Sequence, residues 1–180
     1  AGGGARGATT LPAVGRASLR SMPCLGVLRP GDAIEVVEAW RLIMTCEHQP
    51  ALLVLSRQAM PTVDRTRYAA ASNLDKGAYV MADAVPGEPE IILMATGSEV
   101  SLVVKAYEEL ATEGIRVRVV SMPSWELFES QSREHRESVL PPVSTARVGV
   151  GHASPLCWDR TVGPSGDPVD TRTLGGPPPI

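Results

Sequence analysis

The sequence predicts an α/β protein with mainly parallel sheets, because two strand–helix–strand patterns follow each other along the chain. The stronger pattern spans residues 90–122, where the apolar run Ile91–Met94 precedes a glycine turn, a helix with one apolar stripe and a second strand. A continuous apolar run is typical of a parallel strand that is buried on both faces. Residues 25–57 hold the second pattern. Units of this length close as right-handed parallel crossovers, and two in series favour a parallel sheet.

Composition limits the classes of protein to which the chain can belong. Its 180 residues are 43% hydrophobic and 21% charged, which suits one or two domains with a buried core. A net charge of −3 and an aromatic content of 4% argue against a nucleic-acid partner. No apolar run is long enough to span a bilayer, so we expect no membrane partner.

Cysteine spacing argues against a zinc site and against a disulfide framework. The cysteines Cys24, Cys46 and Cys157 are scattered, and no CxxC pair occurs. We expect them to be buried, reduced thiols.

The first third of the chain contains the weaker strand–helix–strand unit. Residues 1–16 include five glycines and show no hydrophobic period, so we expect a flexible tail. Asp32, with Glu35 three residues later, resembles a capping box at a helix start. The predicted elements are a strand over 25–29, a helix over 33–44 and a strand over 51–55.

The remaining chain contains the stronger unit and further elements. Residues 61–73 are polar without a period, which indicates a connection between domains. The turn at 86–89 predicts that the strands on either side of it are antiparallel neighbours. From Thr161 to the end, nine of twenty residues are Gly or Pro, so we expect no regular structure there. The predicted elements are strands over 77–84, 91–94, 117–120 and 146–150, helices over 100–111 and 125–128, and a charged helix or loop over 131–138.

Two stretches are candidates for contact with a phosphate group. The turn Thr96–Glu99 lies between a strand and a helix start, where free N–H groups and the helix dipole favour anions. Helix capping by its hydroxyls is the alternative, since Glu99 would repel an anion. Ser56 and Arg57 directly follow a strand, and a guanidinium fork matches phosphate oxygens. A surface ion pair of Arg57 is equally compatible with the sequence.

The histidines give no sign of a catalytic group. His48, His135 and His152 lie far apart in the sequence, and no serine or cysteine has the context of a nucleophile elbow. We therefore expect each histidine to have a structural role.

Several longer stretches resemble the transketolase family of thiamine-diphosphate enzymes. They cover roughly residues 17–167 and include LGVLRPGDAIEVVEAW, LLVLSRQAMPTVDR, KGAYVMAD, IILMATGSEVSL, RVVSMPSWELFE and ARVGVGHASPLCWDR. The resemblance implies that residues 1–66 are the last part of a pyrimidine-binding domain, a βαβ fragment. It further implies a linker over 67–73 and a C-terminal α/β domain with a mainly parallel sheet over 74–180.

The resemblance also implies a reaction and a substrate contact. The family transfers a two-carbon ketol unit between sugar phosphates, in the pentose phosphate pathway or the Calvin cycle, with thiamine diphosphate and magnesium. Family members are homodimers of the cytoplasm or plastid. The family's L-S-R-Q motif contacts the substrate, which makes Ser56 and Arg57 the expected substrate-binding residues. The resemblance carries over no catalytic, cofactor-binding or metal-binding residue. The family's metal ligands lie in a pyrophosphate-binding domain and its catalytic glutamate in the first half of the pyrimidine-binding domain, and the resemblance covers neither.

The ends of the chain depart from the family pattern. A family segment G-E-D-G-P-T-H-Q-P has no counterpart at residues 4–12. Residues 169–176 match a family strand of the type I-D-R-F-G-A-S only weakly. We therefore expect 1–16 and 161–180 to be divergent, from shifted-frame or misjoined sequence. We expect this chain alone to be inactive; the alternative is a non-catalytic binding or regulatory module that associates with full-length subunits.

Overall fold

The computed structural model describes residues 19–20, 22, 24–56, 58–83, 87–151 and 158–170. The predicted tail over 1–16 and the sites at Arg57, His152 and Cys157 lie outside the described residues. The strands are β1 (Gly26–Leu28), β2 (Ala51–Leu53), β3 (Tyr79–Asp83), β4 (Ile91–Ala95), β5 (Val117–Ser121), β6 (Arg147–Gly151) and β7 (Asp167–Asp170). The α-helices are α1 (Ala33–Thr45), α2 (Val100–Thr112), α3 (Trp125–Glu129), α4 (Arg133–Val139) and α5 (Asp159–Val162), and 3₁₀ helices cover Ala71–Lys76 and Gly97–Glu99.

The elements β1, α1 and β2 form the predicted strand–helix–strand unit, which we call the βαβ unit. Its two strands are parallel, with Gly26 opposite Ala51 and Leu28 opposite Leu53. One face of α1 packs on Leu28 through Ala39, which is fully buried.

The other described strands form one sheet, the C-terminal sheet, in the order β3-β5-β4-β6-β7. Strands β5, β4, β6 and β7 are mutually parallel, and β3 runs antiparallel to β5 at the edge. The crossover through α2 places β5 directly beside β4 and parallel to it, as predicted. Gly114 follows α2 with φ +81°, a left-handed conformation that ends the helix.

The C-terminal sheet is buried on both faces, which confirms the prediction drawn from its apolar strands. Alternate residues of β3 face opposite sides: Tyr79 and Met81 join one apolar cluster, whereas Ala78 and Val80 join the other. On the second side, the indole of Trp158 lies edge-on to Trp125, with ring centroids 4.8 Å apart.

The neighbour predicted for β3 is wrong. The turn at 86–89 predicts pairing with β4, but β3 pairs with β5, with Tyr79 opposite Ser121. The reason is that both sides of β4 are taken by its parallel partners β5 and β6, so β3 adds at the outer side of β5.

The expectation of no regular structure from Thr161 onward is also wrong for its described part. Residues Thr161 and Val162 end α5, and β7 pairs in parallel with β6. Pro168 fits in β7 because an edge strand does not need every N–H for a ladder.

Two cysteines differ from expectation. Cys24 and Cys46 are exposed rather than buried. Cys24 occupies a turn with φ +64°, and Cys46 follows the last residue of α1, so each lies where the chain reverses at the surface.

Candidate functional site

The predicted substrate motif lies in the loop that follows β2. Ser56 is exposed, and its Oγ accepts a hydrogen bond from the backbone N of Gln58 at 3.1 Å. Its hydroxyl hydrogen remains available to donate to a ligand oxygen. Arg57, the other predicted residue, lies outside the described residues, so its role stays a prediction.

The side chain of Arg29 occupies the glycine turn Thr96–Glu99, a contact that the sequence did not predict. Arg29, 6% exposed, donates from Nη1 to the carbonyl of Thr96 at 2.9 Å, and its Nη2 lies 2.7 Å from Oε2 of Glu99. A Cβ added at Gly97 would lie 2.6 Å from Nε of Arg29. The predicted phosphate contact at this turn is therefore wrong, because a guanidinium paired with Glu99 occupies it.

The alternative prediction, capping by the hydroxyls of this turn, is wrong as well. Within the described structure, the side chain of Thr96 makes no capping hydrogen bond. Ser98 donates from Oγ to Oε1 of Glu99 at 2.8 Å instead. The turn thus holds the Arg29–Glu99 pair.

The predicted capping box at α1 forms in part. Oδ1 of Asp32 accepts from the backbone N of Glu35 at 2.8 Å, as predicted. The reciprocal contact shifts by one residue, since Oε2 of Glu35 accepts from the backbone N of Gly31 at 2.7 Å. Both acidic side chains are fully buried.

The same two acids connect α1 to the C-terminal sheet. Oε1 of Glu35 accepts from the hydroxyl of Tyr79 at 2.6 Å and from that of Ser121 at 2.8 Å. Oδ2 of Asp32 lies 2.7 Å from Nη2 of Arg65. The same arginine donates from Nη1 to the hydroxyl oxygen of Tyr79 at 3.0 Å. We call these five residues, Asp32, Glu35, Arg65, Tyr79 and Ser121, the buried polar network.

Titration of the network follows from its burial. Burial and the adjacent Glu35 carboxylate raise the pKa of Tyr79 well above its ordinary value. Burial alone would lower the pKa of Arg65, but contacts with Tyr79 and Asp32 outweigh burial and raise it. The network therefore keeps its tyrosine neutral and its arginine charged at physiological pH.

The two described histidines make contacts outside the predicted substrate motif. His48 is exposed at the end of the βαβ unit's helix, 4.0 Å from Glu47. His135 places Nε2 3.3 Å from the carbonyl of Ala78, a contact that ties α4 to β3.

The described residues do not fit a thiamine diphosphate–magnesium site. No three His, Cys, Asp or Glu side chains in the described ranges lie close enough to hold a metal ion. The buried glutamate of the βαβ unit, Glu35, already accepts from Gly31, Tyr79 and Ser121. It is thus unsuited to activate a cofactor ring, and we derive no cofactor step from these residues.

Sequence reasoning missed the buried polar network. Its signal is present in the sequence: the acids Asp32 and Glu35 follow an apolar strand closely, just after a Pro-Gly pair. Charged residues beside a buried strand are buried themselves when partners exist elsewhere in the chain, and those partners lie 33 to 86 residues away. Among the described helices, none is both long and apolar enough to cross a bilayer.

Comparison with known proteins gives the same family for both parts of the chain. The family model described as "Transketolase, pyrimidine binding domain" matches residues 1–62. The one described as "Transketolase-like TK C-terminal domain" matches residues 77–177. The domain boundaries at 66 and 74 remain predictions.

Curated relatives align with most or nearly all of the chain. Proteins named Transketolase are 47% identical over 98% of this chain in Geobacillus stearothermophilus and 42% identical over 88% in Aquifex aeolicus. These alignments cover 26% and 23% of the relatives, so the chain spans about a quarter of their length. The first alignment leaves only four of the 180 residues out, and the divergence expected at the two ends stays a prediction.

Solved structures agree with the sequence comparison. Transketolase from Leishmania mexicana has a TM-score of 0.79 at 36% identity, covering 88% of this chain and 22% of that chain. A chain described as "Split gene transketolase, inactive beta4 tetramer" has a TM-score of 0.66 at 19% identity, covering 89% of this chain and 52% of that one. The latter likeness shows the fold alone. Taken with the two family models, which together match most of its residues, the chain belongs to the transketolase family.

Proposed function

We propose that this chain contributes a substrate-phosphate contact and a C-terminal domain to a ketol-transferring enzyme. The observation that carries the proposal is the placement of Ser56, exposed in the loop after β2 with a hydroxyl that donates to no described residue, inside a family motif that contacts sugar phosphates. Arg57 is the expected phosphate ligand beside it. The curated relatives named Transketolase support the same reaction class.

We further propose that these 180 residues by themselves do not turn over substrate. The chain spans about a quarter of the length of its curated relatives, and its described residues lack a donor set for magnesium. When bound, thiamine diphosphate supplies the electron sink of the family reaction. This chain's own contribution is to bind and orient the phosphate end of the sugar.

The first experiment is a coupled ketol-transfer assay with xylulose 5-phosphate, ribose 5-phosphate, thiamine diphosphate and magnesium. It compares the chain alone with a chimaera, in which the chain replaces the aligned segment of the Geobacillus stearothermophilus relative. We expect no turnover from the chain and turnover from the chimaera. Turnover by the chain alone that Arg57→Ala abolishes would contradict the proposal of inactivity.

The chimaera also tests the substrate contact. Arg57→Ala should raise KM for xylulose 5-phosphate by about tenfold or more with a smaller change in kcat, because a phosphate contact acts in ground and transition states alike. Arg41→Ala is the matched control, since Arg41 is an exposed arginine of α1 paired on the surface with Glu38. An unchanged KM in Arg57→Ala would remove the proposed phosphate contact.

A second candidate function is a non-catalytic module that associates with transketolase subunits. An exposed apolar stripe on α1 favours it: Val37, Trp40 and Met44 are 51%, 52% and 78% exposed at helical spacing. The structural neighbour described as an inactive tetramer is a precedent for assembly without activity in this fold. Light scattering of the chain mixed with an intact bacterial transketolase decides: a joint peak that Trp40→Glu abolishes supports association, and separate peaks oppose it.

The cellular setting stays part of the proposal. The curated relatives come from bacteria, which favours the cytoplasm over a plastid for this chain. The comparisons leave the choice between the pentose phosphate pathway and the Calvin cycle open.

A further inference from the structure

One short segment of the chain holds both ends of the loop that carries the substrate motif. At the start of the loop, the backbone N of Val54 donates to the carbonyl of Leu28 at 2.8 Å. At its end, the backbone N of Val63 donates to Oδ2 of Asp32 at 3.0 Å. Ser56 lies between these two points. The place of the loop is therefore set by the place of residues 28–32.

The carboxylate of Asp32 divides its two oxygens between two tasks. Oδ1 caps α1 by accepting from the backbone N of Glu35 at 2.8 Å. Oδ2 holds the loop, because it accepts from Val63 and from Nη2 of Arg65 at 2.7 Å. All three partners are donors, so the site needs a group with acceptors on both sides, and Asp32 is 0% exposed.

Two sets of contacts fix this segment to the C-terminal sheet. Glu35, in the first turn of α1, is held by the hydroxyls of Tyr79 and Ser121. Arg29 donates from its backbone N to the carbonyl of Pro123 at 2.8 Å and pairs with Glu99. Gly31 allows close approach, since a Cβ there would lie 2.7 Å from Val100. The segment is thus anchored on both sides of Asp32.

We infer that Asp32 is a positioning residue: its buried carboxylate holds Val63 at the end of the loop that contains Ser56 and connects it, through Arg65, to Tyr79 of the C-terminal sheet, which sets where Ser56 meets a substrate phosphate. The role of that loop rests on the function proposed above, whereas its attachment to the sheet does not. Asp32 itself does not touch the substrate; it acts through the loop.

The variant Asp32→Asn separates the two tasks of the carboxylate. Asparagine caps helices as well as aspartate does, so the contact with Glu35 is retained. Its amide nitrogen, however, is a donor and would face the donors of Val63 and Arg65. Arg65→Met is the second variant, because it removes one of those donors and leaves the cap and Asp32 intact. Glu38→Gln is the control, a change of charge on the surface of the same helix.

Hydrogen exchange on the purified chain provides the first readout, which does not depend on activity. We expect exchange of the Val63 amide to accelerate about tenfold or more in Asp32→Asn, with the amides of β4 and β5 unchanged. Arg65→Met should shift the same amide in the same direction, and Glu38→Gln should not. Wild-type exchange at Val63 in Asp32→Asn would overturn the inference.

The chimaera provides the second readout. Asp32→Asn should raise KM for xylulose 5-phosphate by about tenfold with kcat changed less, because a misplaced phosphate ligand weakens uniform binding. Equal losses in kcat and kcat/KM would indicate a purely structural defect and overturn the inference. If the unmodified chimaera is inactive, the proposed function fails, while the exchange measurement still decides whether Asp32 positions the loop.

Discussion

The βαβ unit and the C-terminal sheet are built from the same strand–helix–strand pattern, but different contacts hold them in shape. In the C-terminal sheet, a buried apolar cluster covers each of the two faces. In the βαβ unit, the buried apolar cluster comprises Leu28 and Ala39 together with Leu74 from beyond the unit. One side of its helix stays exposed at Trp40 and Met44.

The difference shows what a small parallel unit needs when its own core is slight. Besides apolar contacts with Leu74 and Leu127, the βαβ unit contacts the later part of the chain through buried charges: the Arg29–Glu99 pair at 2.7 Å and Glu35, which binds Ser121. Buried charges are costly when a partner is lost, so such contacts specify one arrangement of the two regions. We therefore expect the stability of the C-terminal sheet to depend on apolar packing, and the stability of the βαβ unit to depend on its contacts with the C-terminal sheet.

The largest expected effect comes from Trp158→Ala. This variant tests whether folding of the βαβ unit depends on the packing of the C-terminal sheet. Trp158 is 0% exposed and packs against Gly149 and Trp125, so truncation should cost about 3–5 kcal/mol of unfolding free energy. We expect the βαβ unit to unfold in the same urea transition, followed by circular dichroism. Trp40→Ala, a truncation of an exposed indole, is the control and should cost well under 1 kcal/mol. Equal losses in the two variants would contradict the comparison.

A smaller effect is expected from Leu28→Ala, which removes the main apolar contact of the βαβ unit. Leu28 is 2% exposed, and its loss should cost about 2–3 kcal/mol, because the partly exposed neighbours of this cluster can relax. Hydrogen exchange should accelerate in α1 and β1 while β4 and β5 keep their protection. Leu102→Ala, on the exposed side of α2, is the control. Loss of protection in both regions would mean that they share one core.

The smallest effect concerns pH and the contact between the two regions. The pKa of Tyr79 is raised by burial and by Glu35, so the folded protein keeps this proton after the unfolded chain has lost it. Stability from Tyr79 is therefore complete below about pH 10 and falls as pH rises above that value. Urea midpoints of Tyr79→Phe should decline less between neutral and alkaline pH than those of the wild type. A parallel decline would show that Tyr79 does not contribute.

Another tyrosine serves as the internal comparison for that titration. Burial and a hydrogen bond to Glu108 raise the pKa of Tyr68 to about 12. Tyr68 joins the connecting segment to α2, away from the buried polar network. Tyr68→Phe should thus also reduce the alkaline decline, but without changing exchange at Val63.

Local patterns made most elements predictable. The apolar run of β4 and the apolar stripe of α2 are each contained in one short stretch of sequence. Their hydrophobic periods therefore indicate a strand and a helix without knowledge of distant residues. The pairing of β3 was not predictable in this way, because β3 and β5 are joined through contacts such as Tyr79 with Ser121, far apart in sequence. The sequence also indicated no order for β7, whose structure depends on β6 beside it.

The candidate site was predictable where a motif carries it and not where contacts carry it. Ser56 was proposed as a ligand contact from its position after β2, because strand ends of parallel sheets are common ligand sites, and its role stays a prediction. The turn at Gly97 has the same local signal, but Arg29 reaches it from 68 positions earlier in the chain and fills it. The sequence around Gly97 therefore could not show that the turn is filled, because the side chain that fills it comes from a distant part of the chain.

The buried polar network has a consequence for how genes of this kind can be divided or recombined. A breakpoint between residues 36 and 78 would place Asp32 and Glu35 on one polypeptide and Tyr79 and Ser121 on the other. Each product would then carry buried groups without partners, which disfavours folding of either half. We expect exchange of C-terminal modules between lineages to be tolerated more easily at a junction before β1. Asp32 and Glu35 then stay on the same polypeptide as their hydrogen-bond partners.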